Sequence, residues 1–259
     1  MVALQVYGFI QIQKYYILVS KNQTKLITSL RQKKYRDQTG FFVAEGPKVI
    51  AELLNEGMKL QSFFSTDAIQ IVAENHFHIT ETELKKISFL KTANTSLAVF
   101  EMPKPKPLQD SGLMVALDAI RDPGNLGTII RLCDWFGVQQ LICSEDTTNC
   151  FNPKVVQATM GSLARVQIHY LSLSEYFEKT DLPIYGGFMD GKNVYSEKLP
   201  KDGIIIMGNE ANGISEEIIQ KITHKITIPR FGNLQKTESL NVATATAILL
   251  SEFRRSIER

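Results

Sequence analysis

Two runs in the sequence rule out a sheet with one face in water. Residues 113–117, Leu-Met-Val-Ala-Leu, and residues 203–207, Gly-Ile-Ile-Ile-Met, put apolar side chains at consecutive positions without polar alternation. Successive strand residues point to opposite faces, so such strands need cover on both sides. Helical patterns that could supply it occupy 128–137, 152–166 and 173–179, and further strand patterns lie at 139–144, 167–171, 183–188 and 225–229. The half of the chain beyond residue 112 therefore reads as α/β, a parallel sheet covered on both faces. Sheets of this kind bind ligands outside the carboxyl ends of their strands, so function is sought in the loops there.

Residues 102–112, Met-Pro-Lys-Pro-Lys-Pro-Leu-Gln-Asp-Ser-Gly, place three prolines within five residues. Such a stretch makes an extended, semi-rigid linker. It divides the chain into a first domain over 21–103, a linker over 104–112 and a second domain over 113–259. The first domain alternates a helix over 26–35, a strand at 41–46 and a helix over 47–57 opened by Pro47 and ended by Gly57. Strands at 61–66, 77–80 and 96–102 and a helix near 81–90 complete a small α/β unit. Residues 1–20 lack the basic start, cleavage site and uninterrupted apolar run of a signal peptide or membrane span. They fit either an extra strand or an overextended start.

The 259 residues are 44% hydrophobic, ample for folded cores, and the net charge of +2 permits a nucleic-acid partner without requiring one. The distribution says more. Residues 21–60 carry eight Lys or Arg against four acids, with Arg31, Lys33, Lys34 and Arg36 bunched in one stretch. That cluster is a candidate RNA-binding face, its ordinary alternative being a solvated helix surface. Three cysteines without Cys-x-x-Cys spacing support neither a zinc site nor a disulfide framework and suit a reducing cytoplasm. His76 and His78 alternate as strand neighbours do, with no nearby ligand set, so no metal is expected.

Three loops of the second domain stand out. In Arg-Asp-Pro-Gly-Asn-Leu-Gly, 121–127, a Pro-Gly turn followed by Asn125 and Gly127 leads into a helix bearing Arg131. An ion pair with Asp134 three residues on is the ordinary reading of Arg131. In Met-Gly-Asn-Glu-Ala-Asn-Gly-Ile-Ser, 207–215, Gly208 and Gly213 bracket Asn209, Glu210 and Asn212. Ser215 is placed to cap a helix whose first turn holds Glu216 and Glu217. An acid between glycines at the end of a buried strand, as Glu210 is, must pair or bind something polar. The third loop, 232–241, carries Lys236, Glu238, Ser239 and Asn241 into an apolar helix starting near Leu240. One N-cap explains one polar residue at that entrance, not two.

Common nucleotide and hydrolase signatures are missing. No Gly-x-Gly-x-x-Gly and no Gly-x-Ser-x-Gly occurs. The stretch 186–193 approaches a P-loop, but Asn193 stands where the magnesium-binding hydroxyl belongs and no helix pattern follows.

The three loops resemble the three motifs of the SpoU family of RNA ribose 2′-O-methyltransferases. Asn125, Gly127 and Arg131 match the first; Gly208, Glu210, Gly213 and Ile214 the second; Ile228, Pro229, Gly232 and 239–243 the third. The basic stretch and 41–54 are also similar to the substrate-binding domain that precedes the catalytic domain in many members. The segment between Gly232 and Ser239 is longer than is common in the family. The resemblance implies a deep trefoil knot of the SPOUT type, which no periodicity suggests. It implies S-adenosylmethionine held near Gly187, Gly208, Ile228 and Leu240, and a homodimer with the active site near the subunit interface. It implies catalytic-site roles for Asn125, Arg131, Glu210, Ser239 and Asn241. Ribosomal RNA is the favoured substrate on the strength of the separate first domain, transfer RNA the alternative. A noncatalytic RNA-binding module is the reading from another class, against which Arg131, Glu210 and Asn241 stand together.

Overall fold

A computed structural model describes residues 18–66, 75–233 and 239–255. Most of the 1–20 extension, together with Lys236 and Glu238, lies outside the described residues. The first unit contains α1 (Lys21–Ser29), α2 (Lys33–Thr39), β1 (Phe41–Glu45), α3 (Pro47–Asn55), β2 (Leu60–Ser65), β3 (His76–His78), α4 (Glu81–Ile87) and β4 (Ser96–Glu101). Its sheet runs β1-β4-β2-β3, antiparallel except for the β2/β3 pair.

The second unit contains β5 (Leu113–Leu117), α5 (Pro123–Trp135), β6 (Gln140–Cys143), α6 (Pro153–Thr159), β7 (Gln167–Tyr170), α7 (Leu173–Phe177), β8 (Ile184–Asn193), β9 (Gly203–Met207), α8 (Glu216–Ile219), β10 (His224–Thr227) and α9 (Val242–Arg255). The strands pair in the order β10-β8-β9-β5-β6-β7, every pair parallel. All five residues of β5 and of β9 are buried, as their unbroken apolar runs require. From β5 the chain turns by way of α5 to β6 on one side; from β9 it crosses by way of α8 to β10 on the other. The carboxyl ends of β5 and β9 therefore flank a topological switch point, where the outgoing loops part and leave a crevice.

Three local expectations need correction. The helix expected over 26–35 is two helices, because α1 ends at Ser29 and α2 begins at Lys33. The break is held by Arg36, whose Nη1 donates to the carbonyls of Leu30 and Arg31 at 3.0 Å. The helix expected over 152–166 stops at Thr159; Met160 and Gly161 turn left-handed at φ 52° and 98°, and a separate 3₁₀ turn spans Ser162–Ala164. The strand expected at 183–188 is present as β8 and runs on to Asn193, so the P-loop-like stretch is strand, as its rejection requires. Helix α5 begins at Pro123, so Asn125 and Gly127 lie within its first turns rather than in a loop.

The two units share one apolar core, with Phe42 of β1 packed near Phe151 at 5.0 Å between ring centroids. Polar ties reinforce it. Arg36 Nη2 donates to Asn149 Oδ1 at 3.0 Å, and Arg165 Nη1 meets Glu52 and Glu56 at 3.0 and 3.1 Å. No helix among the described residues is long and apolar enough to cross a membrane.

Candidate active site

The loop after β5 is unusual from its first residues. Ala119 sits at φ 56°, a region that costs an alanine energy and persists only where surroundings impose it. Its carbonyl accepts from Asn209 Nδ2 at 2.6 Å, and its N–H donates to Ser144 Oγ at 2.8 Å. Asp118, buried, accepts the Ser215 N–H at 2.7 Å. Loops after β5, β6 and β9 are thereby tied at the switch point. Ser215 occupies the N-cap position of α8, but its side chain makes no capping bond, contrary to the sequence expectation.

Asp122 then caps α5, its Oδ1 accepting the Asn125 N–H at 2.8 Å, with Pro123 at the first helical position. The cap fixes Asn125 at the helix mouth. Gly127 is demanded by packing: a Cβ there would lie 2.4 Å from Ala158 Cβ of α6. Gly208 is demanded by the second loop folding on itself, since a Cβ would lie 2.2 Å from the Gly213 carbonyl carbon. Within that turn Asn209 Oδ1 accepts from the Ala211 and Asn212 N–H groups, leaving Glu210 exposed at the tip.

The three loops meet in a chain of hydrogen bonds. Asn125 Nδ2 donates to Glu210 Oε1 at 2.6 Å, and Asn241 Nδ2 donates to Asn125 Oδ1 at 2.9 Å. Asn241 Oδ1 accepts the N–H groups of Ala243 and Thr244 at 3.0 and 3.2 Å, capping α9. The direction of this chain is forced. An ionised carboxylate only accepts, so Asn125 must turn its amide nitrogen to Glu210 and its oxygen to Asn241. Asn241 must then offer its nitrogen to Asn125 and its oxygen to the helix. Asn241 is therefore both a cap and a bridge, and the N-termini of α5 and α9 bring their partial positive ends to the Glu210 carboxylate. Ser239, exposed beside this entrance, takes no part in the cap.

The remaining site candidates divide. Arg131 lies on α5 two turns beyond its start, exposed, on a face it shares with Gly124, Thr128 and Trp135. The ordinary ion pair does not form, because Asp134 is taken by Arg165 at 2.9 Å. Burial works against it, but hydrogen bonds from Arg165 and Ser162 hold the Asp134 carboxyl below its usual pKa. Gly187 lies inside β8, just past Gly186, which pairs with Ile206 of β9 and Lys225 of β10; Gly208 follows β9 directly, whereas Ile228 follows Thr227, which a register shift pairs with Asn193 at the far end of β8. Leu240, 48% exposed, follows at the entrance to α9. In the basic cluster Arg31, Lys33 and Lys34 are exposed, but Arg36 is not. At 1% exposure and bonded to three oxygens, its guanidinium is a structural tie rather than part of an open RNA face. Burial pushes its pKa down from the ordinary value.

Asp118, Ala119, Asp122 and Asn209 escaped the sequence reading as site residues. Asp122 carried a signal, an Asp directly before Pro at a helix start; the other three act through contacts between segments far apart in the chain, which no local pattern shows.

Comparison with known proteins matches two separate stretches of the chain. An MRM3-like substrate binding domain matches residues 21–98. The 23S rRNA (guanosine(2553)-2′-O)-methyltransferase RlmP of Bacillus subtilis is 28% identical over 245 residues, covering 91% of this chain and 97% of that protein. Among solved structures, a putative RNA methyltransferase of the TrmH family from Porphyromonas gingivalis superposes with a TM-score of 0.83 at 39% identity, covering 92% of this chain and 99% of that one. An AdoMet-bound rRNA methyltransferase from Sinorhizobium meliloti gives 0.82 at 29%, covering 93% and 97%. The model of the SpoU rRNA Methylase family spans residues 112–251, more than half of the sequence, and this chain belongs to that family.

Proposed function

We propose that this protein transfers a methyl group from S-adenosylmethionine to a ribose 2′-hydroxyl of ribosomal RNA. The observation that carries the reading is the hydrogen-bonded chain Asn241–Asn125–Glu210, which gathers side chains from three distant segments at a switch-point crevice. The RlmP relative is named for this chemistry on 23S rRNA, and the Sinorhizobium relative is an rRNA methyltransferase with AdoMet bound. The residues fit that cofactor. Gly187 lies next to Gly186, which pairs with Ile206 near the end of β9 that Gly208 follows, Ile228 directly follows β10, and Leu240 offers uncovered apolar surface at the entrance to α9. Bound there, S-adenosylmethionine would supply an electrophilic methyl group on its sulfonium.

The residues of the chain position the attacking hydroxyl. A ribose hydroxyl is a weak nucleophile at neutral pH, so alignment and charge stabilisation carry the rate. Arg131 holds a target phosphate and stabilises the developing alkoxide; as the oxygen–methyl bond forms and the methyl–sulfur bond breaks, S-adenosylhomocysteine leaves and the hydroxyl proton passes to water. Asn125, locked by Glu210 and Asn241, braces the cluster, and Ser239 orients substrate at its mouth. The exposed α5 face with Trp135, 85% exposed, supports a homodimer, and a trefoil knot and a cytoplasmic location belong to the same proposal. Mapping 2′-O-methyl sites in ribosomal and transfer RNA from cells with and without the protein tests it. Loss of one ribosomal site supports it; loss of a transfer RNA site shifts the substrate, and no loss supports the noncatalytic module.

A further inference from the structure

Arg165 meets three carboxylates drawn from both units. Its Nε donates to Asp134 Oδ1 and Oδ2 at 3.1 and 2.9 Å, its Nη2 reaches Oδ2 at 2.9 Å, and its Nη1 serves Glu52 and Glu56. The left-handed turn at Met160 and Gly161 delivers the segment to α3, so closely that a Cβ on Gly161 would lie 2.4 Å from Glu52 Cβ. One guanidinium thus faces three acids, and no other ion pair among the described residues includes any of them. A tie between the units accounts for Glu52 and Glu56. It does not account for Asp134, which belongs to the same unit as Arg165 and stands one turn beyond Arg131 on α5. Residues three apart on a helix are neighbours, so Asp134 is within reach of Arg131. Arg131 nonetheless makes no hydrogen bond or ion pair among the described residues, and it is exposed. The fork of Arg165 fills both Asp134 oxygens, which a point charge such as lysine does not do.

We propose that Arg165 is a positioning residue for methyl transfer: by occupying Asp134 it keeps the Arg131 guanidinium unpaired and available to the RNA phosphate. The proposal rests on the role given to Arg131 under the RNA-methyltransferase reading. Without Arg165, Asp134 is a part-buried carboxylate left uncompensated, and the neighbouring cation on the same helix is Arg131. To pair with Asp134, Arg131 must reach toward the carboxyl end of α5, away from Asn125 at its start. That capture withdraws both a phosphate contact and the charge that meets the developing alkoxide. It leaves the cofactor residues untouched.

The test uses the full chain, in vitro-transcribed 23S ribosomal RNA and methyl-labelled S-adenosylmethionine. Arg165→Met removes the charge and keeps an apolar stem. Its kcat/KM for RNA should fall on the order of tenfold and its melting temperature should drop, with S-adenosylmethionine affinity unchanged. Adding Asp134→Asn removes the carboxylate that captures Arg131, so turnover should return to within about twofold of wild type. The melting temperature should stay low, because the ties to Glu52 and Glu56 remain broken. Glu52→Gln/Glu56→Gln breaks those ties alone and should lower the melting temperature with turnover near wild type. Should Arg165→Met not fold, Arg165→Lys, which keeps a charge but loses the fork, carries the same comparison: a smaller deficit, again recovered by Asp134→Asn. A deficit that Asp134→Asn does not recover, or no deficit at all, would overturn the positioning role and leave Arg165 a structural tie. Wild-type protein that methylates no RNA would overturn the functional reading beneath it.

Discussion

Asn125 is the residue on which the site turns, because it faces both Glu210 and Asn241. Asn125→Ala should cut turnover on the order of a hundredfold by releasing two neighbours from their geometry. Its melting temperature should fall by only about 2–4 °C, since a part-exposed hydrogen bond contributes about 1 kcal/mol. Steady-state methyl transfer beside a thermal melt checks both, and a folded variant with wild-type turnover would remove Asn125 from the account. Arg131→Ala should abolish turnover yet leave cofactor affinity largely intact in calorimetry; lost cofactor binding in a folded variant would place Arg131 elsewhere. At the thiols, burial pushes Cys133 and Cys150 up to about 12. Thiolates are the reactive form, so iodoacetamide at about pH 8 should label the native chain negligibly and the denatured chain fully. The sequence showed which residue types belonged to the site, because turn formers and acids at strand ends are locally odd. It did not show that Arg36 is buried, since a guanidinium facing carbonyls and one facing water occupy the same basic stretch.

Helix α9 joins stability to function at one residue. Asn241 caps it through Oδ1 and reaches Asn125 through Nδ2, so the two duties can be separated chemically. Asn241→Asp keeps the cap, for which Asp and Asn are equivalent, but replaces the donor with a second acceptor facing Asn125 Oδ1. It should melt near the wild-type temperature while turnover falls on the order of a hundredfold. Asn241→Ala should lose both, with a stability cost of about 1 kcal/mol. Equal turnover in the wild-type protein and the Asn241→Asp variant would show that donation to Asn125 is immaterial. Strands and most helix positions were legible from periodicity, while the break at Leu30–Gln32 was not. No glycine or proline marks it; the carbonyls freed there are taken by Arg36 from farther along the chain. The break at Met160–Gly161 had a local sign, a glycine in a helical pattern.

For the molecule as a whole, the parallel sheet was readable from strands without alternation, but its order was not. Periodicity says that β9 is buried on both faces; it cannot say that β9 lies beside β5, which is what brings Glu210 to Asn125. The shared core and the Arg36 and Arg165 ties should make the two units unfold together in one calorimetric transition. Two resolved transitions would show that the interface between them is not rigid. The claim that three distant segments form a site for methylating an RNA sugar is tested by incubating the purified protein with methyl-labelled S-adenosylmethionine and unmethylated 23S ribosomal RNA, then digesting the RNA to nucleosides. Label in a 2′-O-methylnucleoside, absent with Asn125→Ala, is the expected result; label on a base, or none in the RNA, would contradict it.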